Sequence, residues 1–105
     1  MDRVVLESPY AGMVEANVEY ARMAVRDSLG RGEAPIASHL LYTQEGILDD
    51  TTQEERDWGI NAGLEWLDVC TRQVVYCDLG VSSGMRFAIA AAKAKGVITE
   101  YRWIG

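Results

Sequence analysis

The sequence predicts a single α/β domain of three layers, in which helices cover both faces of a small, mainly parallel β-sheet. The chain has 105 residues, which is the size of one domain, and we assign residues 1–105 to it. Hydrophobic residues make up 49% and charged residues 25%, as in globular proteins. Short apolar runs alternate along the chain with segments of helical period, which is the order that parallel sheets require.

The first two elements are predicted to be a strand and a long helix. The apolar run 4–6 ends before Pro9, because proline cannot continue a central strand. Apolar residues then recur at steps of three and four, which predicts a helix from Ala11 to Leu29 that ends at Gly30. The face that this helix should bury consists of Val14, Val18, Ala21, Val25 and Leu29.

The middle of the chain is predicted to hold a second strand, a long connection and a second helix. Residues 35–38 are short and apolar, as strands are. Residues 39–50 show no period, and connections of this length in a small domain are often functional. Thr52 and Glu55 have the spacing of a capping box. The helix that follows should bury Ile60, Leu64 and Leu67.

The last elements are predicted to be a strand at 74–76, a helix that begins at 82–84, and a strand at 97–103. The helix should bury a face formed by Met85, Ile89 and Ala92. Strands that alternate with helices favour right-handed crossovers, so we expect a Rossmann-like or flavodoxin-like three-layer sandwich.

Three polar segments should meet at one edge of this sheet. Residues 8–12, 39–50 and 77–84 each follow a predicted strand. Ligands of open α/β sheets bind beyond the carboxyl ends of the strands. We therefore expect a binding site that all three segments share.

Charge and composition exclude several classes of partner. The formal net charge is −6 and no basic stripe is visible, so we expect no nucleic acid polymer as a partner. No apolar run approaches the length of a membrane span, so we expect no membrane partner. Backbone N–H groups can still hold a small phosphorylated ligand. The two cysteines fit a reducing compartment, and we expect a cytoplasmic protein.

The segment 78–85 is the first candidate site. Its two glycines and two hydroxyls precede a helix, whose unpaired N–H groups and positive end suit an anion or a phosphate. The alternative is that Ser82 or Ser83 merely caps the helix, as hydroxyl residues often do.

Tyr10 and His39 are candidates because each follows a predicted strand. Tyr10 could stack on a base or bind a sugar, or it could simply pack in its loop. His39 could contact a phosphate or a base, or orient a carboxylate, although a lone histidine is more often structural. Among the acids, Asp50 precedes the second helix and could serve only its electrostatics. Glu65 lies among apolar residues, and periodicity does not decide whether it faces the site.

Metal and cofactor sites are not expected. Cys70, Cys77 and the single histidine do not have the spacing of a zinc site. The chain has no Walker loop, no complete GxGxxG fingerprint and no nucleophilic serine elbow.

Taken together in order, several short motifs resemble the nucleoside 2-deoxyribosyltransferase-like superfamily, above all its small bacterial and phage members. The resemblance spans nearly the whole chain. It is carried by residues 8–10 (Ser-Pro-Tyr), 35–41 (Pro-Ile-Ala-Ser-His-Leu-Leu), 48–50, 55–56, 63–65 and 82–86 (Ser-Ser-Gly-Met-Arg).

This resemblance implies chemistry at the N-glycosidic bond of a small nucleotide or nucleoside. In the family a glutamate attacks the anomeric carbon to form a covalent glycosyl-enzyme, and a second acid assists the leaving base. No metal or organic cofactor is needed. Relatives often complete their pockets across a subunit interface. Because the chain also has three tryptophans and five tyrosines, we expect a homodimer or a higher homo-oligomer.

The resemblance also implies a role for each candidate residue. Ser8 and Tyr10 would line the sugar pocket, and Glu65 or Asp50 would be the second acid. A phosphate or sugar hydroxyl would be held by Ser82, Ser83, Gly84 and Met85.

One departure from the family pattern is serious. Members of this type usually begin the last helix with Gly-Met-x-x-Glu, but position 88 here is Ala88, and no carboxylate lies between Asp78 and Glu100. Either the chain is a non-catalytic relative or alanine has been substituted for glutamate. We expect a chain that binds its ligand, is inactive as given, and cleaves or transfers the glycosidic bond once glutamate stands at position 88.

Two other functions stay open. Without its nucleophile, the pocket could belong to a sequestering protein that binds a nucleotide or a cyclic-nucleotide signal, as a phage-encoded protein could. The chain could also be an accessory domain that binds no ligand.

Overall fold

The computed structural model describes residues 1–105 as a four-stranded, all-parallel sheet with helices on both faces. The strand order is β2-β1-β3-β4. The strands are β1 (Arg3–Glu7), β2 (Ala34–Ile36), β3 (Arg72–Tyr76) and β4 (Thr99–Arg102). The predicted three-layer α/β fold with a small parallel sheet is confirmed.

Four α-helices connect the strands. They are α1 (Val14–Gly30), α2 (Ser38–Leu41), α3 (Gln53–Glu65) and α4 (Ser83–Ala94), and a 3₁₀ turn (Trp66–Asp68) follows α3. None of them is both long and apolar enough to cross a membrane. Both cysteines are free thiols.

The alternation of side chains along the strands builds two cores. Val4 and Leu6 of β1 pack with Tyr20 and Ala24 of α1 on one face of the sheet. Val5 points to the other face, where it packs with Leu67 and Ala92. Successive strand residues face opposite sides, so a single strand serves both cores.

The buried face of α1 differs from the predicted one. Val14 and Leu29 are exposed. The residues that the helix buries are Asn17, Tyr20, Ala21, Ala24 and Ser28. Three of these five, Asn17, Tyr20 and Ser28, carry polar groups and are buried because those groups have hydrogen-bond partners. The spacing of apolar residues does not reveal such partners.

The connection after β2 also differs from the prediction, because Ser38 begins the short helix α2 instead of ending the strand. The predicted cap of α3 is half correct. The Thr52 hydroxyl accepts a hydrogen bond from the Glu55 N–H at 3.3 Å. The Glu55 carboxylate, however, accepts from the N–H of Asp49 at 3.1 Å. Glu55 therefore fixes the end of the connection against α3.

The predicted buried face of α3 is also partly wrong. Ile60 is exposed, Leu64 is half-buried, and Leu67 is buried only in the 3₁₀ turn beyond the helix. Gly63 is the one fully buried residue of α3. A Cβ added at this glycine would lie 2.4 Å from the Ser38 hydroxyl, so close packing of α3 on α2 requires glycine there.

Candidate active site at the carboxyl edge of the sheet

A cavity of about 270 Å³ lies at the carboxyl edge of the sheet. It is bordered by the end of β1, by α2 and the connection after it, by α3, and by the first turns of α4. The three polar segments that the sequence analysis placed at this edge all contribute to it.

Most of the predicted site residues line this cavity. They are Ser8, Tyr10, His39, Asp50, Ser82, Ser83, Gly84, Met85 and Ala88. Glu65 does not line it and is exposed near the end of α3. Of the two acids considered as partners for the leaving base, the structure therefore brings only Asp50 to the cavity.

Ser8 and His39 form a hydrogen-bonded pair in the wall of the cavity. The Ser8 hydroxyl lies 2.6 Å from His39 Nε2. Burial lowers the pKa of His39 to about 4, so the ring is neutral at physiological pH. The other ring nitrogen, Nδ1, is buried and has no hydrogen-bond partner. A neutral imidazole can donate from one nitrogen and accept at the other, so this pair suits an uncharged polar group such as a sugar hydroxyl.

The loop that carries Tyr10 is held in place by Asn17 of α1. The Asn17 side chain is buried and donates hydrogen bonds to the carbonyl oxygens of Tyr10, at 2.9 Å, and Ala11, at 3.1 Å. These two bonds fix the backbone directly after Ser-Pro-Tyr. Tyr10 itself is half-buried at the cavity mouth.

The N-terminus of α4 has both a cap and unused donors. The Ser82 hydroxyl accepts from the Met85 N–H at 3.3 Å, so Ser82 is the N-cap. The N–H groups of Ser83 and Gly84 donate to no protein acceptor. Capping by Ser82 and anion binding by the next two N–H groups are thus compatible, because they use different donors.

Position 88 lies on the cavity side of α4. Ala88 is 6% exposed, and its neighbour Phe87 is 57% exposed. Both line the cavity. A side chain longer than alanine at position 88 would extend into the cavity.

The structure adds a carboxyl group that the sequence analysis missed. Glu7, the last residue of β1, lines the cavity and is half-buried. Burial alone raises its pKa to about 8. A signal was present in the sequence, because a charged residue at the end of an apolar run directly precedes the Ser-Pro-Tyr motif.

Other lining residues that the sequence analysis did not select include Tyr42, Thr43, Glu55 and Arg56. The Arg56 guanidinium donates to the Asp50 carbonyl at 3.2 Å and lies 3.7 Å from its carboxylate. Asp50 is thus paired with a cation, unlike Glu7. No group of three or more histidine, cysteine, aspartate or glutamate side chains converges as metal ligands.

The sequence of the chain matches one known family of proteins. A family model described as a domain of unknown function, DUF7768, matches residues 2–102. No curated protein matches the chain.

Three solved structures are similar. A 2-deoxyribosyltransferase from Bacillus psychrosaccharolyticus has 16% identity and a TM-score of 0.65 over 96% of this chain and 72% of its own. A 2-deoxyribosyltransferase from Leishmania mexicana has 11% identity and a TM-score of 0.66 over 100% of this chain and 66% of its own. A CMP N-glycosidase from Clostridium botulinum has 16% identity and a TM-score of 0.53 over 96% of this chain and 68% of its own. At these identities the likeness shows a shared fold.

Proposed function

The chain belongs to the DUF7768 family, and we propose that it binds a nucleoside or small nucleotide in the cavity at the carboxyl edge of its sheet, with the N-glycosidic bond beside position 88. The observation that carries this proposal is the cavity itself. It combines unused helix N–H groups, a neutral Ser8–His39 pair and aromatic side chains. The fold likeness to nucleoside-processing enzymes supports the same class of ligand.

The donors suggest how the ligand is oriented. A phosphate or a sugar hydroxyl accepts from the N–H groups of Ser83 and Gly84, where the positive end of α4 favours negative charge. The sugar lies against Ser8 and His39. The base contacts the aromatic side chains of the cavity, among which Phe87 is exposed and Tyr10 is half-buried.

Alanine at position 88 limits the chemistry. A covalent glycosyl-enzyme requires a carboxylate at the anomeric carbon, and Ala88 cannot supply one. In this proposal the chain does not transfer a sugar to a second base through position 88. We expect the chain to cleave the N-glycosidic bond far more slowly than a variant with glutamate at position 88.

Binding is tested by removing one N–H group without disturbing α4. Ser83 is the first residue of the helix, where proline is well tolerated and lacks the N–H. We expect Ser83→Pro to weaken binding of CMP about tenfold in isothermal titration, as the loss of one hydrogen bond to a charged group would. Ser83→Ala is the matched control, since it removes the hydroxyl and keeps the N–H. Equal CMP affinities for Ser83→Pro and Ser83→Ala would contradict this phosphate position.

A binding protein without turnover is the second candidate function, and Ala88 is the observation that favours it. Such a protein would sequester a nucleotide or a cyclic-nucleotide signal. The two functions separate when a panel of 3′,5′-cyclic, linear and 2′-deoxy nucleotides is incubated with the protein and analysed by mass spectrometry. Quantitative recovery of a ligand that binds tightly supports sequestration, and release of free base supports the enzyme.

The proposed functional unit is a homodimer or a higher homo-oligomer. Large apolar side chains stay exposed around the cavity and beyond it, including Trp58 (64%), Phe87 (57%) and Trp103 (59%). A second copy of the chain that packs on Phe87 would also narrow the cavity mouth. Sedimentation at micromolar concentration tests this, and a single species of 11.6 kDa would contradict it.

A further inference from the structure

Glu7 is a carboxyl group in the cavity without a partner. It has neither a cation nor a hydrogen-bond donor beside it, and burial is the only cause that perturbs it. The other acids of the cavity differ in this respect. Asp50 is paired with Arg56, and Glu55 accepts the N–H of Asp49. An unpaired carboxyl group in a binding cavity has a cost to stability, which points to a functional reason for its presence.

The register of the sheet places Glu7 beside Ala88. Val5 packs with Ala92 of α4. Glu7 is two residues further along β1, on the same face and about 6.6 Å toward the carboxyl edge. Ala88 is four residues earlier in α4, which is about 6 Å in the same direction, because the crossover helix runs antiparallel to the strands. Glu7 and Ala88 therefore lie at the same height along the strand direction, and both line the cavity.

These positions complement each other chemically. The helix offers a methyl group at the position where the sequence resemblance implies a glutamate, and the neighbouring strand offers a carboxyl group. Two carboxylates in one cavity would repel each other, so alanine at position 88 also lets Glu7 remain there without a second charge beside it. The small side chain leaves room for a water molecule.

We propose that Glu7 is the acid that protonates the leaving base, and that water, held beside Ala88, takes the place of a carboxylate nucleophile. This inference rests on the proposed function. It assigns slow hydrolysis of an N-glycosidic bond to the chain as it stands, and it gives the role of second acid to Glu7 instead of Asp50 or Glu65.

The reaction balances with water as the only co-substrate. The Glu7 carboxyl proton moves to an acceptor atom of the base while the bond between the anomeric carbon and the base nitrogen breaks, and its electron pair stays with the base. The water oxygen then bonds to the anomeric carbon. The proton that water loses returns to the Glu7 carboxylate, so the products are a free base and a sugar with an anomeric hydroxyl. No covalent intermediate forms. Water is the acceptor of the sugar, so no second nucleobase is required.

The electrostatics of the cavity agree with an acid at this position. With its pKa raised to about 8, Glu7 carries a proton at neutral pH. The other titratable groups around the cavity come from α2, α3 and the loops, and neither β3 nor α4 contributes one. They are Tyr10, His39, Tyr42, Asp50, Glu55 and Arg56.

The test compares binding and base release in wild type, Glu7→Gln and Glu7→Asp. Glu19→Gln, on the exposed side of α1, is the matched control for loss of one carboxylate. Each protein is titrated calorimetrically with CMP, dCMP, AMP, dAMP and their nucleosides, and free base is measured by mass spectrometry over a pH series.

We expect Glu7→Gln to bind within about threefold of wild type and to lose at least a hundredfold in base release, as removal of a general acid does. Glu7→Asp should retain part of the activity, and Glu19→Gln all of it. Wild-type base release should fall as pH rises through the ionisation of Glu7.

Three results would overturn the assignment of Glu7. Unchanged base release by Glu7→Gln would show that another group is the acid. Tight binding by wild type with no base release would remove the hydrolysis and leave the proposed binding function in place. Failure of every nucleotide and nucleoside in the panel to bind would overturn the proposed function and this inference with it.

Discussion

Two glutamates at opposite ends of the sheet differ in their hydrogen-bond partners: Glu33 has several, and Glu7 has none. Glu33, in the turn before β2, is 4% exposed, and both of its carboxylate oxygens are bound by the Arg102 guanidinium at 2.7 Å. The Ser28 hydroxyl donates a further bond at 2.7 Å. These donors, Arg102 above all, lower the pKa of Glu33 to about 2. Glu7 has no donor, and burial raises its pKa to about 8.

The difference separates a structural carboxylate from a candidate functional one. Glu33 ties the end of α1 to β4 through Arg102, which also donates to the Tyr76 hydroxyl at 3.2 Å. Every partner of this cluster comes from the protein, so it needs no ligand. Glu7 gains nothing from the folded chain, and a ligand or water is the only partner that the cavity offers it. Burial alone therefore does not mark a site, whereas an unpaired carboxyl group inside a cavity is a candidate for one.

Breaking the paired cluster should have the largest effect on the molecule. Arg102→Ala leaves Glu33 buried with Arg72 as its remaining cation, and we expect the free energy of unfolding at pH 7 to fall by about 3 kcal/mol. Chemical denaturation monitored by tryptophan fluorescence measures this. Lys95→Ala is the control, because the Lys95–Asp68 pair is exposed and its loss should leave the unfolding midpoint unchanged. A loss for Arg102→Ala as small as for Lys95→Ala would mean that the cluster is not structural.

Substitutions in the cavity around Glu7 should change the activity of the protein more than its stability. Ala88→Glu places a carboxylate level with Glu7, so that a nucleophile and an acid face the same bond. We expect a gain of at least a hundredfold in release of base from CMP or dCMP, about 2.7 kcal/mol of transition-state stabilisation, and the appearance of sugar transfer to a second base.

Ala88→Gln, which has the same size without the charge, controls for the change in cavity shape. If the two variants released base equally, position 88 would not be the site of a nucleophile. The thermal midpoints of both variants should be compared with wild type first, because a larger side chain replaces a buried alanine.

The sequence predicted the two central strands well because each of them contains a continuous apolar run. Residues 4–6 and 74–76 lie inside β1 and β3, and Ser82 is the N-cap of α4 as the turn chemistry indicated. The buried face of α1 was wrong because Asn17 and Ser28 are buried through hydrogen bonds to distant groups. Hydrophobic periodicity carries no information about such partners.

The two glutamates were missed for different reasons. Glu33 and Arg102 are separated by 69 positions, and nothing in the local pattern joins them. Glu7 ends a strand whose alternation is visible only once the helices on each face are known. The cavity edge was predictable from topology, since the carboxyl ends of parallel strands meet there, but the protonation of its groups depends on burial.

The free energy of unfolding, measured as a function of pH, should show directly the cost of ionising Glu7 in the folded chain. Its pKa is about 8 in the folded chain and 4.5 as the ordinary value, so the folded state holds a proton that the unfolded state has released. Stability is therefore lost as pH rises from 4.5 through about 8. We expect Glu7→Gln to gain about 2 kcal/mol relative to wild type between pH 5 and pH 7. A constant difference between the two proteins over this range would contradict the raised pKa.

His39 should give a smaller effect of the opposite sign, because it is a base that burial keeps neutral. Its pKa is about 4 in the folded chain against an ordinary value of 6.5, so the unfolded state takes up the proton first as pH falls. Stability is lost as pH falls from 6.5 through about 4. Between pH 5 and 7 the Glu7 slope masks this loss, so the measurement belongs in the Glu7→Gln background. There we expect the protein that keeps His39 to lose about 1.8 kcal/mol of stability from pH 7 to pH 5, and His39→Gln to lose none of it. Ser8→Ala removes the 2.6 Å partner but keeps the imidazole, so it should retain the pH dependence. If His39→Gln retained the same slope, the proton uptake would belong to another group and the ring would not be held neutral by burial.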